Sequence, residues 1–217
     1  MLNSPNNPTG SVLPAGAVEQ ILAETSALVL CDEAYQDFGG TSAIGLLNHS
    51  SRVVVLRSFS KAMGMAGLRF GYALAHPDLA REIAKAKLPY NVNAVTLAAA
   101  EVALANEARF AERTRAVVQE RERLLPLLRP LPGLRVVPTA ANFVLIRAEA
   151  LPAKALFRRL IEEHDILIRD VSSGAGLADC LRISIGTRDD MDAVLAALEA
   201  ILAPAAPSRG TTDAAHR

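Results

Sequence analysis

The chain has 217 residues, of which 51% are hydrophobic and 21% charged, and its formal net charge at pH 7 is zero. This composition is typical of a globular protein with one large domain or two small ones, and it excludes a disordered chain. The charge balance, without any basic block, argues against nucleic acid as the main partner.

Nothing in the sequence indicates a membrane or an oxidising compartment. No apolar run approaches the ~20 residues that cross a bilayer, and the N-terminus has neither a basic segment nor an apolar signal core. The two cysteines, Cys31 and Cys180, fall in apolar, strand-like runs, so we expect buried free thiols rather than a disulfide. The predicted location is the cytoplasm.

The first 88 residues alternate between strand and helix patterns. A segment rich in Asn, Pro and Gly (MLNSPNNPTG) opens the chain as a loop, and its first two residues, Met1 and Leu2, are the stub of a strand. The other predicted elements are a helix over Ala15–Ala23, strands over Ala27–Cys31, Val53–Leu56 and Arg69–Ala75, and a helix over Pro77–Ala86. Strands that are apolar on both faces and alternate with helices predict an α/β domain with a mostly parallel sheet. Because three such strands leave an open edge, we expect this domain, residues 1–88, to be incomplete.

The break Leu88–Asn91 predicts a boundary, after which residues 89–203 form a small C-terminal α+β domain. The pattern is helical almost throughout from Ala94 to Leu128 and ends at two prolines. The predicted elements that follow are strand Asn142–Arg147, helix Pro152–Glu163, strands Ile166–Arg169 and Leu181–Ile185, and helix Asp189–Leu202. The small, polar tail, residues 204–217, is predicted to be disordered.

Three residues of the first domain suggest a common chemistry. Asp32 and Lys61 each follow a predicted strand, and ligands of open α/β sheets gather beyond the carboxyl ends of strands. An amine that can form a Schiff base, a carboxylate that can pair with a pyridinium nitrogen and an arginine for a phosphate, Arg69, are the parts that hold pyridoxal phosphate. Each residue alone has an ordinary explanation: a solvated lysine, a turn cap and a surface arginine.

Four motifs together resemble the aminotransferases of fold type I that use pyridoxal phosphate. They are NSPNNPTG, DEAY, SFSKAMGMAGLRFGY and LRISIGT, and the resemblance runs in order from Asn3 to about Leu202. It implies that Lys61 forms the Schiff base and then moves the substrate proton, and that Asp32 keeps the ring nitrogen protonated. The other implied cofactor ligands are Asn7 and Tyr35 for the phenolic oxygen, and Ser58, Ser60 and Arg69 for the phosphate.

The second half of the chain resembles histidinol-phosphate aminotransferases more than the aspartate or tyrosine enzymes, in IRD…CLRISIGTRDD, LPYNV and ANF. The resemblance implies that Arg182 grips the anionic group of the substrate, and Arg169 lies thirteen residues upstream. Two arginines suit a phosphomonoester better than a single carboxylate. Without this resemblance, Arg182 would be interpreted as part of the polar, solvent-exposed face of a strand. Tyr90 is a substrate contact or a hinge residue, and Asn142 is a substrate contact or a turn residue at a strand start.

The implied activity is transamination between glutamate/2-oxoglutarate and a phosphorylated amine, histidinol phosphate/imidazole-acetol phosphate, in histidine biosynthesis by a homodimer. An aromatic aminotransferase, an amino-acid phosphate decarboxylase and a non-catalytic remnant of the fold stay open. The phosphate cup and stacking aromatic ring that precede the Asn-Pro loop in the family are not found here. We therefore expect an N-terminally truncated chain that binds the cofactor weakly and turns over poorly. His49 and His76 have no partners at metal-ligand spacing, and no metal is expected.

Overall fold

Two four-stranded sheets organise the structure, a computed structural model that describes residues 1–203. The predicted disordered tail, residues 204–217, lies outside the described residues. In chain order the helices and strands are β1 (Leu2–Asn3), α1 (Ala17–Glu24), β2 (Val29–Asp32), β3 (Val53–Ser58), β4 (Gly71–Ala75), α2 (Pro77–Lys85), α3 (Ala94–Ala105), α4 (Glu107–Leu128), β5 (Leu134–Val136), β6 (Phe143–Ala148), α5 (Ala153–His164), β7 (Arg169–Asp170), β8 (Cys180–Ser184) and α6 (Arg188–Leu202). Short 3₁₀ helices cover Gln36–Phe38, Ala43–Asn48 and Ala66–Leu68.

The first sheet has the order β1-β2-β3-β4. Strands β1, β2 and β3 are parallel, which confirms the predicted mostly parallel α/β sheet. Its core is built from β-branched and small side chains, among them Val29, Val53 and Val55, which favour a strand that is buried on both faces.

Strand β4 differs from the prediction in its start, and within residues 1–203 it is the one strand of this sheet that is not parallel to its neighbour. It pairs antiparallel with β3, and it begins at Gly71 rather than at Arg69, whose φ of 53° places it in the left-handed region. A Cβ on Gly71 would lie 2.7 Å from the carbonyl oxygen of Arg57, so glycine is required where the turn brings the two strands together.

The predicted helical stretch from Ala94 to Leu128 is two helices rather than one. It breaks at Asn106, which has a non-helical φ of −116° and ψ of 29°, between α3 and α4. The inner face of α4 buries Leu124, Leu125 and Leu128, which pack against the second sheet. Helical periodicity is local, and it does not reveal where two consecutive helices change direction.

The second sheet is antiparallel throughout, in the order β5-β6-β8-β7. Helices α5 and α6 share its largest apolar core with α4, and α6 starts with a capping box between Thr187 and Asp190. Strand β5 was not predicted, since three residues are too few to show an alternating pattern. Strand β7 is restricted to Arg169 and Asp170, because Ile166 and Ile168 of the predicted strand pack on the core without joining the ladder.

Cys31 and Cys180 are both free and buried, as predicted. Burial raises the pKa of the Cys31 thiol to about 11, and the nearby charge of Glu33 adds to the shift. Within residues 1–203, no helix has the length and apolar character needed to span a bilayer.

Candidate active site

The carboxyl ends of β2 and β3 place Asp32 and Lys61 at the same edge of the first sheet. Because β2 and β3 are parallel, with Asp32 opposite Leu56, both strands deliver the residues that follow them to this edge. Asp32 is half-buried, and one carboxylate oxygen accepts a hydrogen bond of 3.1 Å from the backbone N–H of Ala34. Lys61 follows the end of β3 by three residues and is also half-buried.

Tyr35 connects Lys61 to the second sheet. The Lys61 Nζ atom lies 5.1 Å from the centroid of the Tyr35 ring, and Tyr35 itself is only 5% exposed. The Tyr35 ring meets Phe143 at the start of β6 in an edge-to-face contact, with centroids 5.3 Å apart and planes at 87°. The predicted Schiff-base lysine therefore lies beside an aromatic pair that joins the two halves of the chain.

Arg182 completes this row of side chains on the other side of Phe143. Its guanidinium carbon lies 5.0 Å from the Phe143 centroid, and Nη1 donates a 2.6 Å hydrogen bond to Oδ1 of Asn7. The two residues are 175 positions apart in sequence. This hydrogen bond puts Arg182, which is predicted to bind substrate, in contact with Asn7, which is predicted to bind the cofactor. The Nε atom of Arg182 is buried and has no hydrogen-bond partner among residues 1–203. A buried cationic donor without an acceptor suits an anionic ligand.

Arg169 lies opposite Arg182 in the antiparallel ladder between β7 and β8. Side chains at opposed positions project from the same face of a sheet, so two positive charges face one another there. They line a groove of about 680 Å³ together with Ser184 of the same strand as Arg182. Like charges in register are unfavourable unless anionic groups compensate them, and the groove also contains the carboxylates of Asp165, Asp170 and Asp190. The anion site stays a prediction.

Two predicted phosphate ligands have local roles in this structure. The hydroxyl of Ser58 accepts a hydrogen bond of 3.1 Å from the backbone N–H of Ser60 and so shapes the turn before Lys61. Arg69 is exposed and donates from Nη1 to the carbonyl oxygen of Ala66 at 3.1 Å. Its side chain lines a groove beside Asn93 rather than the aromatic row.

The structure does not bring Tyr90 and Asn142 into the cluster through their side chains. Tyr90 is 100% exposed and has a φ of 58°, in a turn between α2 and α3. Asn142 accepts a hydrogen bond of 2.9 Å on its backbone oxygen from the N–H of Ile185 and precedes β6 directly. The roles of the two residues, with their alternatives, stay predictions.

Sequence reasoning missed a buried ion pair beside the site. Glu33 is 3% exposed and accepts from Nη2 of Arg57 at 2.9 Å, from the hydroxyl of Ser42 at 2.7 Å and from the backbone N–H of Ala43 at 2.6 Å. Glu33 follows Asp32 directly, and Arg57 interrupts the apolar strand β3 just before Ser58. A charge inside an otherwise apolar strand was the signal that could have found the pair.

Arg121 was missed as well. It is 6% exposed on the inner face of α4, and Nη1 donates to the carbonyl oxygens of Phe38 and Ala141, each at 3.0 Å. Its spacing of three and seven residues from the buried Leu124 and Leu128 places it on the core face, which the helical periodicity could have indicated.

Comparison with solved structures defines the fold first. The chain is similar to the histidinol-phosphate aminotransferase of Sinorhizobium meliloti, solved in complex with pyridoxal-5'-phosphate, with a TM-score of 0.79 and 32% identity over 93% of this chain and 56% of that one. It is also similar to the L-threonine-O-3-phosphate decarboxylase of Porphyromonas gingivalis, with a TM-score of 0.84 and 29% identity over 93% of this chain and 63% of that one.

Comparison of sequences gives the family. Residues 1–198 match the family model for class I and II aminotransferases, and the chain belongs to this family. Among the curated relatives, histidinol-phosphate aminotransferase 1 of Carboxydothermus hydrogenoformans is 44% identical over 201 residues, which are 93% of this chain and 56% of that protein. The chain spans about half the length of the curated relatives it matches. The family predicted from the four motifs is confirmed.

Proposed function

We propose that this chain forms part of an aminotransferase that uses pyridoxal phosphate and acts on a phosphorylated amine, histidinol phosphate/imidazole-acetol phosphate, in histidine biosynthesis. Glutamate/2-oxoglutarate would be the second substrate pair. One observation carries the proposal: Lys61, Tyr35, Phe143, Arg182 and Asn7 form a continuous row of contacts between the two sheets. The names of the similar curated proteins support the same substrate.

The residues present fit the cofactor. Lys61 offers an amine 5.1 Å from the centroid of the Tyr35 ring, and Asp32 offers a half-buried carboxylate with one hydrogen bond. When bound, pyridoxal phosphate would supply an aromatic ring that accepts the electrons of the substrate carbon. Asp32 would pair with the ring nitrogen, and Asn7 and Tyr35 would hold the phenolic oxygen. Ser58, Ser60 and Arg69 are the proposed phosphate ligands.

Lys61 would act on the substrate as a general base and acid. Its amine would move the proton between the substrate carbon and the cofactor carbon, because it lies within the row of side chains that reaches the anion site. Tyr35 and Phe143 would exclude water from this path, since both rings are almost fully buried.

Arg182 and Arg169 would set the choice of substrate. Two guanidinium groups opposed across a ladder present several donors to one dianion, which favours a phosphomonoester over a single carboxylate. Glutamate would use the same anion site, so Arg182 would serve both substrates. Tyr90 and Asn142 stay in the proposal as residues that would act near the substrate.

An amino-acid phosphate decarboxylase is a second candidate. The similarity to the L-threonine-O-3-phosphate decarboxylase favours it, and the same pair of arginines would suit its phosphorylated substrate. A homodimeric assembly, a cytoplasmic location and the division into residues 1–88 and 89–203 stay predictions.

Cofactor titration tests the first part of the proposal. The purified chain is titrated with pyridoxal phosphate and its visible absorbance is compared with that of Lys61→Ala. The matched control is Lys85→Ala, since Lys85 is 70% exposed on α2 and pairs only with Glu82. We expect the absorbance of bound cofactor in wild type and in the control, and its loss in Lys61→Ala. Equal spectra for all three proteins would contradict the assignment of Lys61.

Substrate comparison tests the second part. Wild type loaded with cofactor is mixed with histidinol phosphate, phenylalanine or threonine O-phosphate, and spectral change, amino transfer and release of carbon dioxide are followed. The proposal expects amino transfer from histidinol phosphate in preference to phenylalanine. Equal or better response to phenylalanine would remove the histidine assignment, and release of carbon dioxide would favour the decarboxylase.

A further inference from the structure

The buried guanidinium of Arg121 joins parts of the chain that belong to different sheets. One nitrogen, Nη1, donates to the carbonyl oxygen of Phe38, in the 3₁₀ helix after β2, and to that of Ala141, in the loop before β6. The other two donors, Nε and Nη2, contact a single oxygen of Glu122, which is 60% exposed. Neither carbonyl belongs to the helix that carries Arg121, so the side chain is a tertiary link rather than a local one.

The loop that Arg121 reaches, residues 139–141, is pressed against the first sheet's loops at two glycines. The backbone N–H of Ala140 donates 2.8 Å to the carbonyl oxygen of Gly10. A Cβ on Gly10 would lie 2.0 Å from the hydroxyl oxygen of Thr139, and one on Gly39 would lie 3.0 Å from the Cβ of Ala140. Side chains are excluded on the first sheet's side, which lets the two loops meet backbone to backbone.

The two carbonyls lie next to the aromatic pair of the proposed active site. Phe38 follows Tyr35 by three residues, and Ala141 precedes Phe143 by two. The ring of Tyr35 contacts Lys61 on one side of the pair, and the ring of Phe143 contacts Arg182 on the other side. Fixing these two backbone positions to one nitrogen therefore fixes the distance between the cofactor side and the anion side of the site.

Two residues on the cofactor side, Asp32 and Lys61, do not depend on Arg121 for their positions. Asp32 and Lys61 follow adjacent strands of the first sheet, and the ladder between β2 and β3 holds those strands together. Arg182 belongs to the second sheet and reaches the first through Asn7 and through the loop that Arg121 holds. A loosened loop is therefore expected to move Arg182 relative to Lys61 while Asp32 and Lys61 keep their places.

We propose that Arg121 is a positioning residue that sets the separation between the cofactor-binding residues and the substrate-anion arginine, Arg182. This inference rests on the proposed function and adds a residue that touches neither cofactor nor substrate. Arg182 reaches the first sheet through Asn7 and across this link, whereas Asp32 and Lys61 belong to that sheet, so the link is expected to govern substrate affinity rather than cofactor affinity.

The test uses the variants Arg121→Met and Arg121→Lys with Arg123→Met as the control. Arg123 belongs to the same helix and pairs with Glu120 and Asp192, so its loss also weakens the packing of α4 on α6 without touching either loop. For each protein, the dissociation constants of pyridoxal phosphate and of histidinol phosphate, the latter for cofactor-loaded protein, are measured by absorbance. The hydrogen-exchange rate of the Ala140 amide and the thermal midpoint are measured without cofactor.

We expect Arg121→Met to weaken the binding of histidinol phosphate by about 10- to 100-fold, the loss that follows when a hydrogen bond between Arg182 and the substrate anion is broken, with a cofactor affinity equal to that of Arg123→Met. The Ala140 amide should exchange faster in Arg121→Met alone, and Arg121→Lys, which keeps a cationic donor, should recover part of the substrate affinity. If Arg121→Met does not fold, the comparison of Arg121→Lys with wild type carries the test in the same direction.

Three results would overturn the inference while leaving the proposed function intact. The first is a parallel loss of cofactor affinity and substrate affinity in Arg121→Met. The second is an equal, selective loss of substrate affinity in Arg123→Met, and the third is an Ala140 exchange rate that does not change in Arg121→Met. A wild-type chain that fails to respond to cofactor or to histidinol phosphate would instead overturn the proposed function, and the inference with it.

Discussion

The buried ion pair between Glu33 and Arg57 provides the sharpest test of the fold around the site. Glu33 lies between Asp32 and Tyr35 in sequence, and its carboxylate closes a triangle with Arg57 and Ser42, since Arg57 Nη2 also donates to the Ser42 hydroxyl at 3.0 Å. The side chains of Glu33 and Arg57 are 3% and 15% exposed, so water screens the pair only weakly. The perturbation is Glu33→Gln, which keeps the shape of the side chain and removes its charge.

The expected cost follows from what the substitution leaves behind. Removing one partner of a buried pair strands the other charge, and such changes cost about 3–5 kcal/mol. Glutamine can still accept from Ala43 N–H through its amide oxygen, so the cap on the 3₁₀ helix Ala43–Asn48 survives and we expect the lower end, about 3 kcal/mol. The larger share of that free energy comes from the guanidinium of Arg57, which keeps only the longer and more exposed pair with Asp37, at 3.6 Å.

Urea denaturation of wild type, Glu33→Gln, Arg57→Met and the double variant measures this cost. The control is Glu82→Gln, whose partner Lys85 is as exposed as Glu82 itself, and its effect is expected to stay below ~1 kcal/mol. The double variant should be more stable than the sum of the single losses predicts, because no charge is left unpaired. If Glu33→Gln unfolds within about 0.5 kcal/mol of wild type, or if the two single losses simply add, the reasoning is refuted.

Two further predictions concern packing and pH. Gly10→Ala and Gly16→Ala both place alanine at a positive φ, 74° and 77° respectively, but only at Gly10 does the new Cβ meet Thr139. Gly10→Ala should therefore lower the free energy of unfolding by ~1–3 kcal/mol more than Gly16→Ala does. Equal losses in the two variants would contradict this. Hydrogen bonds from Thr187 hold the pKa of Asp190 below its usual range. With the folded-state pKa depressed, this carboxylate stabilises the fold fully above the pKa of an unfolded aspartate, and the stabilisation is lost as the pH falls through the folded-state pKa. Asp190→Asn should therefore flatten the acid side of stability plotted against pH, measured by denaturation at several pH values, and an unchanged slope would count against it.

The local elements of the first sheet followed from the sequence because their signals are local. Runs such as Val53–Leu56 are apolar, β-branched and bounded by polar turns, which is the pattern of a strand buried on both faces. Because the carboxyl ends of parallel strands lie at the same edge of a sheet, the sequence also predicted that Asp32 and Lys61 share one edge, without any knowledge of long-range contacts. The order of the motifs gave the family.

Long-range pairing decided the features that the sequence did not show. The antiparallel direction of β4 and the short ladder of β7 depend on partners elsewhere in the chain, and so does the addition of β5 to the second sheet. The break at Asn106 depends on how α3 and α4 pack rather than on their periodicity, which continues across it.

The sequence by itself determined which chemical groups this protein has and on which strand ends they lie, since apolar periodicity and turn residues act over a few positions. Only the tertiary structure decided which of those groups meet. The contact of Arg182 with Asn7 and the link from Arg121 to Phe38 and Ala141 join residues far apart in the chain. Their physical reason is the docking of one sheet's loops on the other, where buried polar atoms must find partners and glycines leave room for the backbone.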